Sequence, residues 1–174
     1  GINVLRDSGS YKYNTTAALA KAFRGCEAHN TLSLDGEDQM LKGGRFIWYY
    51  WVKKADATLI EEADSYKFNG RINAFRQIDN IWHNRSITKL KDKPVWKVID
   101  EVENAEGKQI EIFWHINPDI KDNIKISCKD SQGHNLIEHV NNAWYASLYG
   151  HKESVKVHSF KTHSNSLETI IKIK

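Results

Sequence analysis

Lys108-Gln109-Ile110-Glu111-Ile112-Phe113-Trp114-His115-Ile116 alternates with a period of two: Ile110, Ile112, Trp114 and Ile116 fall on one side, Glu111, Phe113 and His115 on the other. In an extended chain successive side chains point to opposite faces, so this pattern belongs to a strand that packs one face on a core. Outward from it, short alternating or apolar runs recur at 31–34, 45–52, 95–102, 124–128, 144–149, 155–160 and 167–173. Between them lie Asp35-Gly36, Gly43-Gly44, Asn69-Gly70, 104–107, 130–133 and Tyr149-Gly150, residues that tolerate positive φ, with Pro94 and Pro118 at expected strand edges or turns. Many short strands at this spacing predict an all-β chain, an antiparallel layered β-sandwich of supersandwich-like kind. One segment departs from it. Thr15 or Thr16 can cap a short helix near residues 16–24, with Leu19 and Phe23 on a shared face and Gly25 placed to end it.

The 174 residues, 40% of them hydrophobic and 27% charged, suffice for one ordinary core. No repeat, low-complexity tract or linker divides them, so 1–174 reads as a single domain. The net charge of +3 comes from 25 basic and 22 acidic residues scattered along the chain, without the basic stripe that a nucleic-acid footprint needs. Stacking on single-stranded nucleic acid is disfavoured for the same reason: Trp and Tyr are not interleaved with a basic groove pattern. No run approaches the roughly 18 to 20 apolar residues of a membrane span. Cys26 and Cys128 fit one disulfide or two separate buried thiols. The chain opens at Gly1 without an initiator Met, so a native start upstream is expected.

Short catalytic motifs are absent: there is no phosphate-binding glycine loop, zinc-type cysteine pair, nucleophile elbow or His-Glu-x-x-His. Each of the eight histidines is, on its own, a surface or hydrogen-bonded core residue, and the six Trp and seven Tyr are first of all strand formers and core fillers. The informative region is the first fifty residues. Asp7-Ser8-Gly9-Ser10-Tyr11-Lys12-Tyr13-Asn14 is followed by Phe23-Arg24 and then by Ala28-His29-Asn30-Thr31 through Asp35-Gly36 to Gln39. This order resembles the heparinase II/III family of bacterial polysaccharide lyases, where an Asp-x-Gly-x-Tyr-x-Tyr-Asn stretch precedes an Ala-His-Asn-Thr-x-x-x-Asp-Gly-x-x-Gln stretch. Trp82-His83-Asn84-Arg85, Val98-Ile99-Asp100-Glu101, Phe113-Trp114-His115-Ile116-Asn117-Pro118 and Trp144-Tyr145-Ala146-Ser147 agree in order, so the resemblance covers nearly the whole chain.

The resemblance implies the C-terminal sandwich of an enzyme that cleaves uronic-acid polysaccharides, glycosaminoglycans among them, by β-elimination in a cleft against an N-terminal α/α toroid. The proton removed is α to a carboxylate, so such an enzyme must neutralise that carboxylate, present a base to C5 and protonate the leaving oxygen at C4. In the family those groups come from the toroid and from a His-x-His segment before the Asp-x-Gly stretch. No catalytic residue is therefore expected in this chain, and alone it should be inactive. Asp7 and His29 match positions that bind a metal, usually zinc, with a third ligand expected upstream of residue 1. Tyr11 and Tyr13 match aromatic positions near the substrate cleft, and Arg24 suits a uronate. Without the resemblance, Asp7 is a turn former, His29 a strand-edge residue, the tyrosines packing groups and Arg24 half of a surface ion pair. His83, Asn84, Arg85, Asp100 and Glu101 are assigned structural roles on the sandwich body. The expected partner is an anionic polysaccharide and the expected location the periplasm or cell envelope. The alternative is a non-catalytic carbohydrate-binding or structural sandwich.

Overall fold

The alternation at 108–116 has a clear cause in the computed structural model, which describes residues 3–44 and 46–174. After a helix α1 (Ala17–Lys21) and a 3-10 turn (Cys26–Ala28) come β1 (Leu32–Leu34), β2 (Leu41–Lys42), β3 (Trp48–Tyr49), β4 (Ala55–Glu61), β5 (Ser65–Ala74), β6 (Ile81–Leu90), β7 (Val95–Glu103) and β8 (Ile110–Trp114). A second 3-10 turn (Pro118–Asn123) leads to β9 (Ile124–Asp130), β10 (Glu138–Tyr145), β11 (Glu153–Thr162) and β12 (Ser166–Ile173). Sheets of order β1-β8-β11-β10 and β4-β5-β6-β7-β12-β9 stack face to face, beside a small β2-β3 ribbon, and the strand pairings are antiparallel.

Ile110, Ile112 and Trp114 of β8 face inward with Leu32, Leu34 and Phe160 of the smaller sheet, and meet Val98, Val102, Cys128, Leu167 and Ile171 of the larger one. Burying each such side chain stabilises the fold by about 1.5–3 kcal/mol, which makes this row the main sheet-to-sheet adhesive. The other face of β8 is covered as well: Phe113 packs with Cys26 and Val157 in a second cluster. That outer cover seats the Cys26–Ala28 turn on the smaller sheet, and so positions the residues that lead into β1.

Several sequence expectations need correction. Asn69-Gly70 is no turn but lies inside β5, where Asn69 pairs with Thr58 and Ser86. Of the run at 45–52 only Trp48–Tyr49 is strand, and residue 45 lies outside the described residues. The run at 144–149 supplies only the end of β10, which begins at Glu138. The helix is shorter than expected, Ala17–Lys21, with the Thr16 hydroxyl accepting from the Leu19 N–H at 3.3 Å. Cys26 and Cys128 are separate buried thiols, pushed up to about 12 and about 11 chiefly by burial. Among the described residues, no helix is long and apolar enough to cross a membrane.

Candidate functional site

The site begins with a backbone constraint. Residues 5–9 run along the end of the smaller sheet: Leu5 bridges Ile116, the Arg6 N–H donates to the His115 carbonyl at 2.8 Å, and the Ala146 N–H donates to the Ser8 carbonyl at 2.8 Å. Gly9 has φ +74°, and a Cβ there would stand 2.2 Å from the Ala146 oxygen. Only glycine satisfies both the left-handed backbone and the close approach. This explains the Asp-x-Gly spacing: the Gly9 N–H folds back to donate to Asp7 Oδ1 at 2.8 Å, which fixes the carboxylate.

The other Asp7 oxygen lies 2.5 Å from His29 Nδ1, although the two residues are 22 apart in sequence. Their side chains are 62% and 39% exposed, so the pair opens to solvent and not to the core. Asp7 thus acts as the turn former foreseen for it, and an ion bound by both side chains would have to part this contact and sit between them. A carboxylate oxygen and an imidazole nitrogen are zinc-type donors, and an ion taking them would displace the proton between them. Among the described residues, no group of three or more His, Cys, Asp or Glu side chains is arranged to hold a metal, so this pair would be part of a site. His115 packs close by but is otherwise engaged: its Nε2–H donates to the Glu27 carbonyl at 2.9 Å, and Nδ1 faces the Ser8 hydroxyl at 3.5 Å. Burial pushes its pKa down, keeping the ring neutral.

Tyr11, Tyr13 and Arg24 come together in one cleft of about 260 Å³, whose walls also include Lys12, Lys42 and Trp48. Tyr11 stacks on Phe23 with centroids 5.8 Å apart, and Tyr13 leans on Tyr149 at the same distance. Leu19 of the helix and Phe23, which lies in the turn beyond it and not on the helix as expected, both line this cleft. No carboxylate lines it, and among the described residues Arg24 forms no salt bridge, which leaves its guanidinium available. Lys42 is held below the ordinary lysine range by desolvation and then by the positive charge of Arg24. A second hollow of about 340 Å³ shares Arg24 and Trp48 as wall residues and is also lined by His29 and the Asp38 carboxylate. Arg24 therefore lines both the aromatic cleft and the hollow that holds His29.

Lys42, Trp48 and Tyr149 were not singled out from the sequence. The signal was present only for Tyr149, whose turn with Gly150 was noted; Lys42 and Trp48 sit on the short ribbon, and two-residue strands carry no periodicity to read.

The sequence matches the family described as heparinase II/III-like, C-terminal, over residues 1–173. The chain belongs to that family. Its fold is similar to heparinase III, the BT4657 gene product (TM-score 0.73, 16% identity), and to the heparan sulfate lyase HepC from Pedobacter heparinus (TM-score 0.74, 16% identity). In both, the match covers 99% of this chain and 28% of the other, so this heparinase II/III-like domain spans little more than a quarter of those proteins. At that identity the likeness is one of fold. No curated protein matches the sequence.

Proposed function

We propose that this domain forms one wall of the substrate groove in a polysaccharide lyase that cleaves a uronic-acid polymer by β-elimination. What carries the reading is the position of Arg24, which lines both a cleft walled by Tyr11, Tyr13 and Lys42 and a second hollow that holds His29, the partner of Asp7. Tyr11 and Tyr13 offer ring faces to sugar rings, and Arg24 offers a two-pronged donor to a uronate carboxylate. Asp7 and His29 would hold a zinc ion together with ligands from elsewhere in the protein, where it would supply a fixed positive charge. The domain's own share is to bind and orient the polymer, while the C5 base and the carboxylate neutraliser act from a partner toroid domain. A periplasmic or envelope location goes with this proposal, because a long anionic polymer does not enter the cytoplasm.

Titration calorimetry against uronic-acid polymers and a neutral glucan tests it. Arg24→Ala should weaken uronate-polymer binding about tenfold or more, the loss expected for a charge-assisted hydrogen bond, and added salt should weaken it further. Equal affinity for the neutral glucan, or an unaffected Arg24→Ala variant, would favour the non-catalytic carbohydrate module instead.

A further inference from the structure

Between the sheets lies a cluster that groove binding does not use. Asp100 is fully buried, and its Oδ1 accepts from His83 Nε2 at 2.6 Å and Arg85 Nε at 2.7 Å. Burial pushes the Asp100 carboxyl up, but Arg85 and His83 more than offset this and hold it below the usual carboxylate range. Arg85 then reaches out of the larger sheet: its Nη1 donates to the Asn30 carbonyl at 2.6 Å. Asn30 in turn joins the two segments of the site. Its Oδ1 accepts from the His115 N–H at 2.8 Å, and its Nδ2 donates to the Arg6 carbonyl at 3.3 Å. Arg6 precedes Asp7, and Asn30 follows His29.

We propose that Arg85, anchored by Asp100, is a positioning residue that fastens the Asn30-Thr31 peptide and, through Asn30, the neighbouring Asp7–His29 pair. A purely structural ion pair would need only its partners within the larger sheet. This one directs a charged donor to a single carbonyl across the sandwich, that of Asn30, the residue after His29. The fork of a guanidinium is what allows Nε to serve Asp100 while Nη1 serves Asn30, a division that a lysine cannot make. The functional part of this inference rests on the reading of Asp7 and His29 as a metal pair, whereas the fastening itself does not.

The test compares Arg85→Lys, Arg85→Met and Asn30→Ala in the full chain, following amide exchange and zinc affinity together. Exchange at the Arg6, Phe113 and His115 N–H groups reports whether the site segments stay tied to β8, since these donate to His115, Thr31 and Asn30. The account expects exchange there to quicken about tenfold more than at the β7–β12 amides, which report the stability of the larger sheet, in all three variants. Zinc affinity should fall about tenfold to a hundredfold, the usual effect of removing an orienting partner. Wild-type exchange at those three amides in Arg85→Lys and Asn30→Ala would overturn the positioning role. If the unaltered protein binds no zinc, the metal reading fails while exchange still decides the fastening. Should Arg85→Met fail to fold, the other two variants carry the comparison.

Discussion

Among the described residues, two His–Asp pairs of nearly equal length stand in opposite surroundings. His29 and Asp7 meet at 2.5 Å with 39% and 62% of their side chains exposed, and His83 and Asp100 meet at 2.6 Å with 5% and 0% exposed. The distances do not separate them; the surroundings do. The inner pair is braced by Arg85 and buried, whereas the outer pair is open to solvent. Identical chemistry is therefore sealed into the fold in one place and accessible to a ligand in the other.

The largest expected effect comes from breaking the inner pair. Asp100→Ala leaves Arg85 and His83 without their shared acceptor inside the sandwich, a loss of about 3–5 kcal/mol. Denaturant unfolding should show the midpoint falling with little change in slope. A change below about 1 kcal/mol would mean that solvent reaches the cluster.

Acid should act on the same pair. Because the Asp100 carboxyl is held below its unfolded value, its contribution is fully present above the unfolded pKa of about 3.9 and is lost as pH falls through the folded value. Unfolding followed between pH 6 and 2 should therefore show wild-type stability dropping more steeply below about pH 4 than that of a folded Asp100→Asn variant. Parallel curves would assign the acid sensitivity to other carboxylates.

How much of this was legible depends on what each strand faces. β8 announced itself because Ile110, Ile112 and Trp114 all enter the core, and β7, β9 and β12 each send two or more apolar residues inward as well. β4, β5 and β6 did not. β4 is exposed along its whole length, so selection on burial leaves no pattern there. β5 contains Asn69-Gly70, which has the composition of a hairpin turn but pairs on both sides. β6 presents His83 toward the core, and a polar inward residue breaks the apolar count by which a strand is recognised. The candidate residues Asp7, His29, Tyr11, Tyr13 and Arg24 came from the resemblance of the motif order, and the structure brings the first two into contact and the other three into one cleft. Its assembly was not. Nothing in the spacing shows that β2 and β3 bring Lys42 and Trp48 to the same wall, or that Asn30 ties residue 6 to residue 115.

A third His–Asp pair provides the smallest expected effect. His134 lies 3.3 Å from Asp130 in a turn, with its side chain 71% exposed. His134→Ala should change neither stability nor zinc content nor polymer binding, and a loss of any of these would extend the functional surface to the 130–134 turn.

The decisive comparison is His29→Ala in the full-length protein, with zinc per chain measured by elemental analysis and stability by denaturant unfolding on the same sample. Stability should change by no more than about 1 kcal/mol, as for an exposed ion pair, while zinc content and uronate-polymer cleavage fall together. Unchanged zinc and cleavage would contradict the account and leave His29 as the partner of Asp7 and nothing more.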